Sequence, residues 1–500
     1  MWRARRDGAI VEGDCGLSTE ICWQAIYSRD PRFDGRFFAG ATTTGLYCRN
    51  VCPVPFARPR NVVLFACAAA AEAAGFRACK RCQAQAAPGT PAWLGTSAVV
   101  SRAFRLILEG ALNDGNVEEL ANRLGLGSRQ LRRLFVQHLG APPLKIATTH
   151  RIHLARKLIE ESGFSMSRIA ASAGFRSIRE FNHSIRMSTG QSPRELRRSA
   201  GAQGFSGDAG GLVLRLPYRM PFDWAGLIAF LKRRAIPGVE AVTDRRYQRT
   251  IQVGQLGQEP GYLTVEPDEA GSRLVVRLET NSYDGLGQTV ERIRRIFDLG
   301  ADPVQIASHL SRDDKLRDLL AARPGLRVPG VWDGFEAAVM AVLGERLTGV
   351  AARNTVRRLV ERFGTPVETP IRGLKFLFPT PDALAKADLA EFSCIGISEA
   401  RTSTLKKLAG TAVLQELRSS ASKTLEEAVS QLRLVDGIDE STAHCIAMRA
   451  FGEPDAFPAR EIGLRRRLAG AGSLPTAEEA AAMAAPWRPW RAYAAMYVAG

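Results

Sequence analysis

The apolar positions along this chain divide it into blocks of different period. From 97 to 198 they recur at helical spacing, with stops at Gly125, Gly140, Gly163, Gly174 and Gly190, which predicts an all-α segment. Between 212 and 325, strand-like stretches such as LVLRL, RTIQV and SRLVVRL alternate with helical patterns around 224–234 and 289–299, so this block reads as α+β. From 331 onward the helical period returns, and loops such as FPTPDA and DGIDE separate the helices. Two breaks punctuate the pattern: GAQGFSGDAGG at 201–211, rich in Gly, and the shorter QAAPGTPAW at 85–93. The expected division is therefore 18–88, 95–200, a linker at 201–211, 212–325 and 326–500.

Composition narrows the class. With 45% hydrophobic and 24% charged residues, and no run of about 18 apolar residues, the chain reads as an ordinary globular protein without a membrane span. The start, MWRARRDGAIVEGD, has no apolar stretch and does not resemble a secretory signal, so a cytoplasmic location is expected. In that compartment nine cysteines argue for metal binding or catalysis rather than a disulfide framework. A formal charge of +17 points to a polyanionic partner without distinguishing DNA from RNA or anionic lipid.

Four cysteines stand in two close pairs, Cys48/Cys52 and Cys79/Cys82. A CxxxC and a CxxC on separate turns can converge on one ion with tetrahedral sulfur coordination, and thiolate softness selects zinc. Spacing alone leaves open whether such a site is a closed structural staple or holds a reactive thiolate. Thr44 precedes the first pair and Arg77, Lys80 and Arg81 surround the second, a setting suited to a phosphate backbone. Cys15 and Cys67 have no motif context and read as core or incidental thiols.

VEELANRLGLGSRQLRRLFVQHLG carries an apolar-faced helix, a turn at Gly125–Gly127 and a second helix expected to be capped by Ser128, with Arg129, Arg132 and Arg133 following. A second copy, MSRIAASAGFRSIREFNHSI, follows about 50 residues later, with Gly174 in its turn and Ser177, Arg179 and Glu180 opening its second helix. Two helix-turn-helix units separated by a helix beginning near Pro143 could enter successive major grooves of double-stranded DNA. Arg129, Arg132 and Arg179 are expected to contact bases or phosphates.

The segments TTTGLYCRNVC, RPRNVVLF and AEAAGFRACKRC resemble the metal-binding domain of the bacterial Ada adaptive-response family over about residues 20–86. The resemblance implies one zinc ion held by Cys48, Cys52, Cys79 and Cys82, with Cys48 taking a methyl group irreversibly from a methylphosphotriester in DNA. Loss of that ligand's charge would make the site less repulsive to phosphate. Ada relatives carry more basic residues after the second cysteine than the PVPF found here, which implies weaker phosphate affinity. The block ending in GQSPRELRR is similar to AraC-family DNA-binding domains over about 98–198, and an activator of that kind would also contact RNA polymerase. The PCHR-type cysteine of O6-alkylguanine repair is absent, so that activity is not expected.

LRLPYRMPFDWAGLIAFLKRRAIPGVEAV, ARPGLRVPGVWDGFEAAVMAVLG and WRPWRAYAAMYV resemble 3-methyladenine DNA glycosylase II of the AlkA type over nearly all of 212–499. The implied architecture is an α+β subdomain followed by an all-α helix-hairpin-helix domain, behind a small α+β zinc domain and an all-α double helix-turn-helix domain. Such enzymes flip an alkylated base out of the duplex and use a carboxylate to stabilise the developing sugar cation. VDGIDESTAHCIAMRAFGEPDAFPAREIGLRR supplies the hairpin, with Gly437, Ile438 and Thr442 expected at the DNA and Glu461 at the carboxylate position. Several positions depart from the family pattern. Asp439 replaces a hairpin glycine, where strain and repulsion of phosphate are expected. Ser441 replaces an aromatic, Glu345 a glutamine and Glu461 an aspartate, and YVAG stands where relatives carry a terminal aromatic. Two functions stay open on these grounds: damage-sensing regulation joined to base excision, or regulation with a repair-like domain that only binds DNA.

Overall fold

The computed structural model describes residues 11–12, 17–79, 81–82, 84, 98–199, 211–253, 259–344, 349–410, 424–470 and 472–499. Both breaks in the pattern, apart from Gly211, lie outside these residues, as do Cys15, Lys80 and Glu345.

The amino-terminal part contains β1 (Val11–Glu12), α1 (Thr19–Ser28), β2 (Phe38–Ala41), β3 (Leu46–Arg49), β4 (Val62–Phe65), α2 (Ala68–Ala73) and β5 (Arg77–Ala78). The strands form one sheet in the order β1-β4-β2-β3-β5. β4 reads VVLF and is buried throughout, as expected of β-branched and aromatic residues at the centre of a sheet.

Seven helices follow: α3 (Ala98–Leu108), α4 (Val117–Arg123), α5 (Ser128–Leu139), α6 (Pro143–Glu161), α7 (Met166–Ser172), α8 (Ile178–Thr189) and α9 (Pro193–Ser199). The local grammar is explicit. Asn116 and Glu119 form a capping box at α4, Ser165 and Ser177 cap α7 and α8, and Gly140 and Gly190 end α5 and α8 in left-handed conformation. Ser128 does not act as the expected cap. Gly127 occupies the N-cap position, no side chain bonds the first-turn amides, and Ser128 is already helical.

The second half opens with β6 (Leu212–Pro217), α10 (Trp224–Arg234), β7 (Glu240–Val242), β8 (Tyr247–Val253), β9 (Glu259–Asp268), β10 (Arg273–Thr280) and α11 (Leu286–Ile296). Its sheet is antiparallel, ordered β6-β10-β9-β8-β7. The remainder is helical: α12 (Pro303–Leu310), α13 (Asp314–Ala322), α14 (Gly334–Gly344), α15 (Gly349–Phe363), α16 (Pro381–Lys386), α17 (Leu389–Cys394), α18 (Glu399–Gly410), α19 (Leu425–Arg433), α20 (Glu440–Ala450), α21 (Ile462–Ala469), α22 (Ala477–Met483) and α23 (Arg491–Ala499). Arg249 on β8 forks onto Glu336 on α14, with Nη2 2.8 Å from Oε2 and both side chains buried, which ties sheet to helices.

The apolar cores do not respect the breaks in the sequence. One joins Phe38, Tyr47 and Phe65 of the first sheet to Phe104 of α3 and to Leu131 and Phe135 of the first helix-turn-helix unit. Another joins Ile152, Leu158, Ile169 and Phe181 to Leu214, Val265, Val276 and Phe297. A buried fork also crosses: Arg102 on α3 donates to both oxygens of Glu453 at 2.9 Å, and Arg105 reaches Oε1 at 3.1 Å. No helix among the described residues is long and apolar enough to cross a membrane.

Candidate functional sites

The cysteine pairs converge because their strands are neighbours. β3 and β5 pair in parallel, Leu46 opposite Arg77 and Tyr47 opposite Ala78, so Cys48 and Cys79 emerge side by side. The tight turns that follow bring back Cys52 and Cys82. All four sulfurs lie within 4.8 Å of one another, which suits a tetrahedral ion with metal–sulfur bonds of about 2.3 Å and sulfurs about 3.8 Å apart. Cys52, Cys79 and Cys82 are buried, and Cys48 alone of the four is partly exposed.

Four crowded thiols cannot all ionise without a cation. Cys82, accepting a hydrogen bond from Cys48, is pulled down to about 6. That same bond, burial and the charge of Cys82 push Cys48 up. A bound divalent ion removes the conflict by holding every sulfur as thiolate.

Tyr47, beside Cys48, donates to Glu72 Oε1 at 3.0 Å. The other side of this carboxylate belongs to α6: Thr149 Oγ1 donates to Oε2 at 2.7 Å and His153 Nε2 lies 3.1 Å from Oε1. Burial would raise the Glu72 pKa, but the bond and charge of His153 and the Thr149 bond prevail and hold it near 2. One buried carboxylate thus serves both the strand that carries Cys48 and the helix between the two helix-turn-helix units.

In each unit the second helix buries one face and presents the other. Leu131, Phe135 and Leu139 face the core on α5, while Arg129, Arg132 and Arg133 are exposed. On α8, Phe181 and Ile185 face inward and Arg179 outward, with Ser177 exposed at the cap. Arg176, ahead of α8, donates to the carbonyls of Asn113 and Asp114 at 2.9 and 3.1 Å and so fastens the second unit to the loop that opens the first.

The hairpin lies between α19 and α20. Gly437 adopts φ +91°, and a Cβ there would stand 2.0 Å from Thr404 Oγ1, so backbone and space both require glycine. Asp439 is different. Its φ of −83° is unstrained, and it caps α20 with Oδ1 accepting from Thr442 N–H at 2.8 Å. Glu461 stands at the N-cap of α21 but caps nothing. Its carboxylate is half exposed and 3.8 Å from Arg234 Nη2. Arg234 and Arg449 both lie over the Phe230 ring, at 5.0 and 4.7 Å. Burial and the nearby Arg234 cation lower Arg449 to about 10.

Known proteins match these parts in the same order. Family models match residues 21–85 (metal binding domain of Ada), 120–199 (helix-turn-helix domain), 213–333 (AlkA N-terminal domain) and 339–492 (HhH-GPD superfamily base excision DNA repair protein). A probable bifunctional transcriptional activator/DNA repair enzyme AlkA of Mycobacterium tuberculosis is 40% identical over 484 residues, covering 96% of this chain and 95% of its own. The chain belongs to the bifunctional AlkA family of transcriptional activator/DNA repair enzymes. DNA-3-methyladenine glycosylase 2 of Escherichia coli is 30% identical over 57% of this chain and 95% of its own. A solved 3-methyladenine DNA-glycosylase from Archaeoglobus fulgidus superposes with TM-score 0.50 at 24% identity, over 57% of this chain and 97% of that one, which shows the fold of the second half.

In this AlkA-family chain the residues expected at DNA fall into two groups. Thr44, Arg77, Arg81, Arg129, Arg132, Arg133, Ser177 and Arg179 lie at the surface or its edge, with Ser128 half-buried. At the hairpin only Gly437 is exposed. Ile438 and Thr442 are buried, and their amides already bond Val435 O and Asp439, so the expected contact through them is not presented. The strain expected at Asp439 is absent because the turn places its left-handed residue two positions earlier. The sequence reading also missed Asn182, His183 and Arg186, exposed on the face of α8 that Arg179 begins. Their i+3, i+4 and i+7 spacing from Arg179 was the available signal.

Proposed function

We propose that this chain senses methylated DNA through Cys48, regulates transcription through α5 and α8, and excises alkylated bases with Glu461. The working units are residues 18–88, 95–200, 212–325 and 326–500, joined at 201–211. The observation that carries the sensing role is that one cysteine of the four-cysteine cluster is partly exposed while three are buried.

Cys48, Cys52, Cys79 and Cys82 would hold a single zinc ion, which keeps their sulfurs ionised at neutral pH. The Cys48 sulfur attacks the methyl carbon of a methylphosphotriester. A sulfur–carbon bond forms, the carbon–oxygen bond breaks, and its electron pair returns to the phosphate as an anionic diester. The cluster loses one negative charge, and exposed Arg77 and Arg81 then hold phosphate with less opposition. In the second half, Glu461 offers a carboxylate to the sugar as the glycosidic bond breaks, the electron pair leaves with the base, and water adds to the sugar carbon. Its partners are cytoplasmic: damaged duplex, promoter DNA and, if it activates transcription, RNA polymerase.

The test uses the full zinc-loaded chain and methylated duplex DNA. Mass spectrometry is expected to find one added methyl group on Cys48 and none in Cys48→Ser. Free 3-methyladenine is expected to appear with the unaltered chain and not with Glu461→Gln. Release equal to that of Glu461→Gln leaves regulation with a DNA-binding repair-like domain as the function.

A further inference from the structure

Three hydrogen bonds fasten the loop 457–461 to one side of α20. Phe457 N–H donates to His444 Nδ1 at 3.3 Å, Arg460 N–H donates to Ser441 Oγ at 3.1 Å, and Arg460 Nη1 donates to Asp439 Oδ2 at 2.8 Å. Asp439 therefore uses both oxygens, one on the first turn of α20 and one on Arg460. Glu461 is the next residue. Its N–H bonds Pro458 O at 3.0 Å and its carbonyl accepts from Arg465 N–H at 3.0 Å, while its side chain has no capping bond. The backbone is pinned on both sides of a carboxylate that caps nothing and faces Arg234 at 3.8 Å.

We infer that Asp439, Ser441 and Arg460 are positioning residues that hold Glu461 in register for base excision. This inference rests on the excision role proposed for Glu461. A glutamate has one more rotatable bond than an aspartate, so its carboxylate samples more positions from the same backbone. Stabilising a developing sugar cation demands placement to about 0.5 Å. Fixing the backbone immediately before Glu461 narrows that range. The substitutions at the hairpin and at the carboxylate thus form one device: residues 439 and 441, which replace a glycine and an aromatic, reach the loop that carries the longer acid. Asp439 also cannot act as a bare repulsive charge, because Arg460 faces it.

Single-turnover excision from methylated duplex by the full zinc-loaded chain, at saturating protein, separates placement from affinity. Asp439→Asn keeps an oxygen for the Thr442 amide but loses the ion pair, and Arg460→Ala removes it from the exposed side. Each is expected to lower the excision rate constant about tenfold, the scale of one charged hydrogen bond, with DNA dissociation constants changed less than about threefold. The double variant is expected to lose no more than either single one. Ser441→Ala is expected to slow excision and Ser441→Thr, which keeps the hydroxyl, to restore it. The inference is overturned if Asp439→Asn binds DNA more tightly at an unchanged rate, or if the two losses add in the double variant. Full activity in Glu461→Gln would overturn the excision role itself, and this inference with it. Loss in Glu461→Gln with wild-type rates in Asp439→Asn, Arg460→Ala and Ser441→Ala would overturn the inference alone.

Discussion

At the cysteine centre the proposed methyl acceptor is placed by a sheet, with Cys48 on β3, Cys79 directly after the parallel strand β5, and three of the four cysteines buried. At the other candidate centre Glu461 stands on a loop at a helix start, about half exposed, with an arginine 3.8 Å away. The first site takes its geometry from the backbone pairing of β3 with β5. The second depends on individual side chains reaching across from α20, and each can be removed separately. A site built from strand register rests on backbone pairing; one built from loop ties rests on the contacts of Asp439 and Ser441 with the loop that carries Glu461.

The sharpest way to break this comparison is a crossed pair of substitutions. Glu461→Gln is expected to slow excision by about a hundredfold or more, measured by released base, while leaving methyl uptake by Cys48 intact. Cys48→Ser is expected to abolish uptake and leave excision unchanged. Next in size, Cys79→Ser removes one buried ligand of the cluster. Metal analysis should show zinc lost, and unfolding should show the first sheet destabilised by several kcal/mol, since structural zinc supplies about 10 kcal/mol or more of folding energy in small domains.

Glu453→Ala removes the buried carboxylate that Arg102 and Arg105 share and is expected to cost about 3–5 kcal/mol, read as a lower denaturant midpoint. The smallest effect tests the joint between sensor and reader. Glu72 is held near 2 in the folded chain against an ordinary 4.5, so its stabilisation is present above about pH 4.5 and lost as pH falls towards 2. Glu72→Gln should flatten the stability profile across that window by about a few kcal/mol in acid titrations followed by circular dichroism.

What could be read in the sequence was local. Each cysteine pair, the cap at Ser177 and the turn at Gly437 act within a few residues, and their spacing carries the information. β9 escaped because Pro260, Gly261 and Pro267 interrupt its alternation, although its pairing with β8 and β10 runs through them. The role of Asp439 escaped for a different reason. Its partner Arg460 lies 21 residues away, and a family comparison position by position reads each substitution as a loss when the pair forms one contact. Arg102 and Glu453 are 351 residues apart, beyond any periodicity argument. Ser128 shows the limit of motif grammar: a good capping residue one position late caps nothing.

The apolar core shared by α6–α9 and the sheet β6–β10 bears on how such a chain can be inherited and rearranged. Reader and repair halves look like exchangeable parts, yet a cut at the Gly-rich segment would part Phe164 and Arg168 on one piece from Tyr283 on the other, where a ring pair and a guanidinium over the ring now close the seam. Exchange of either half for a free-standing relative would require its inner face to be redrawn as well.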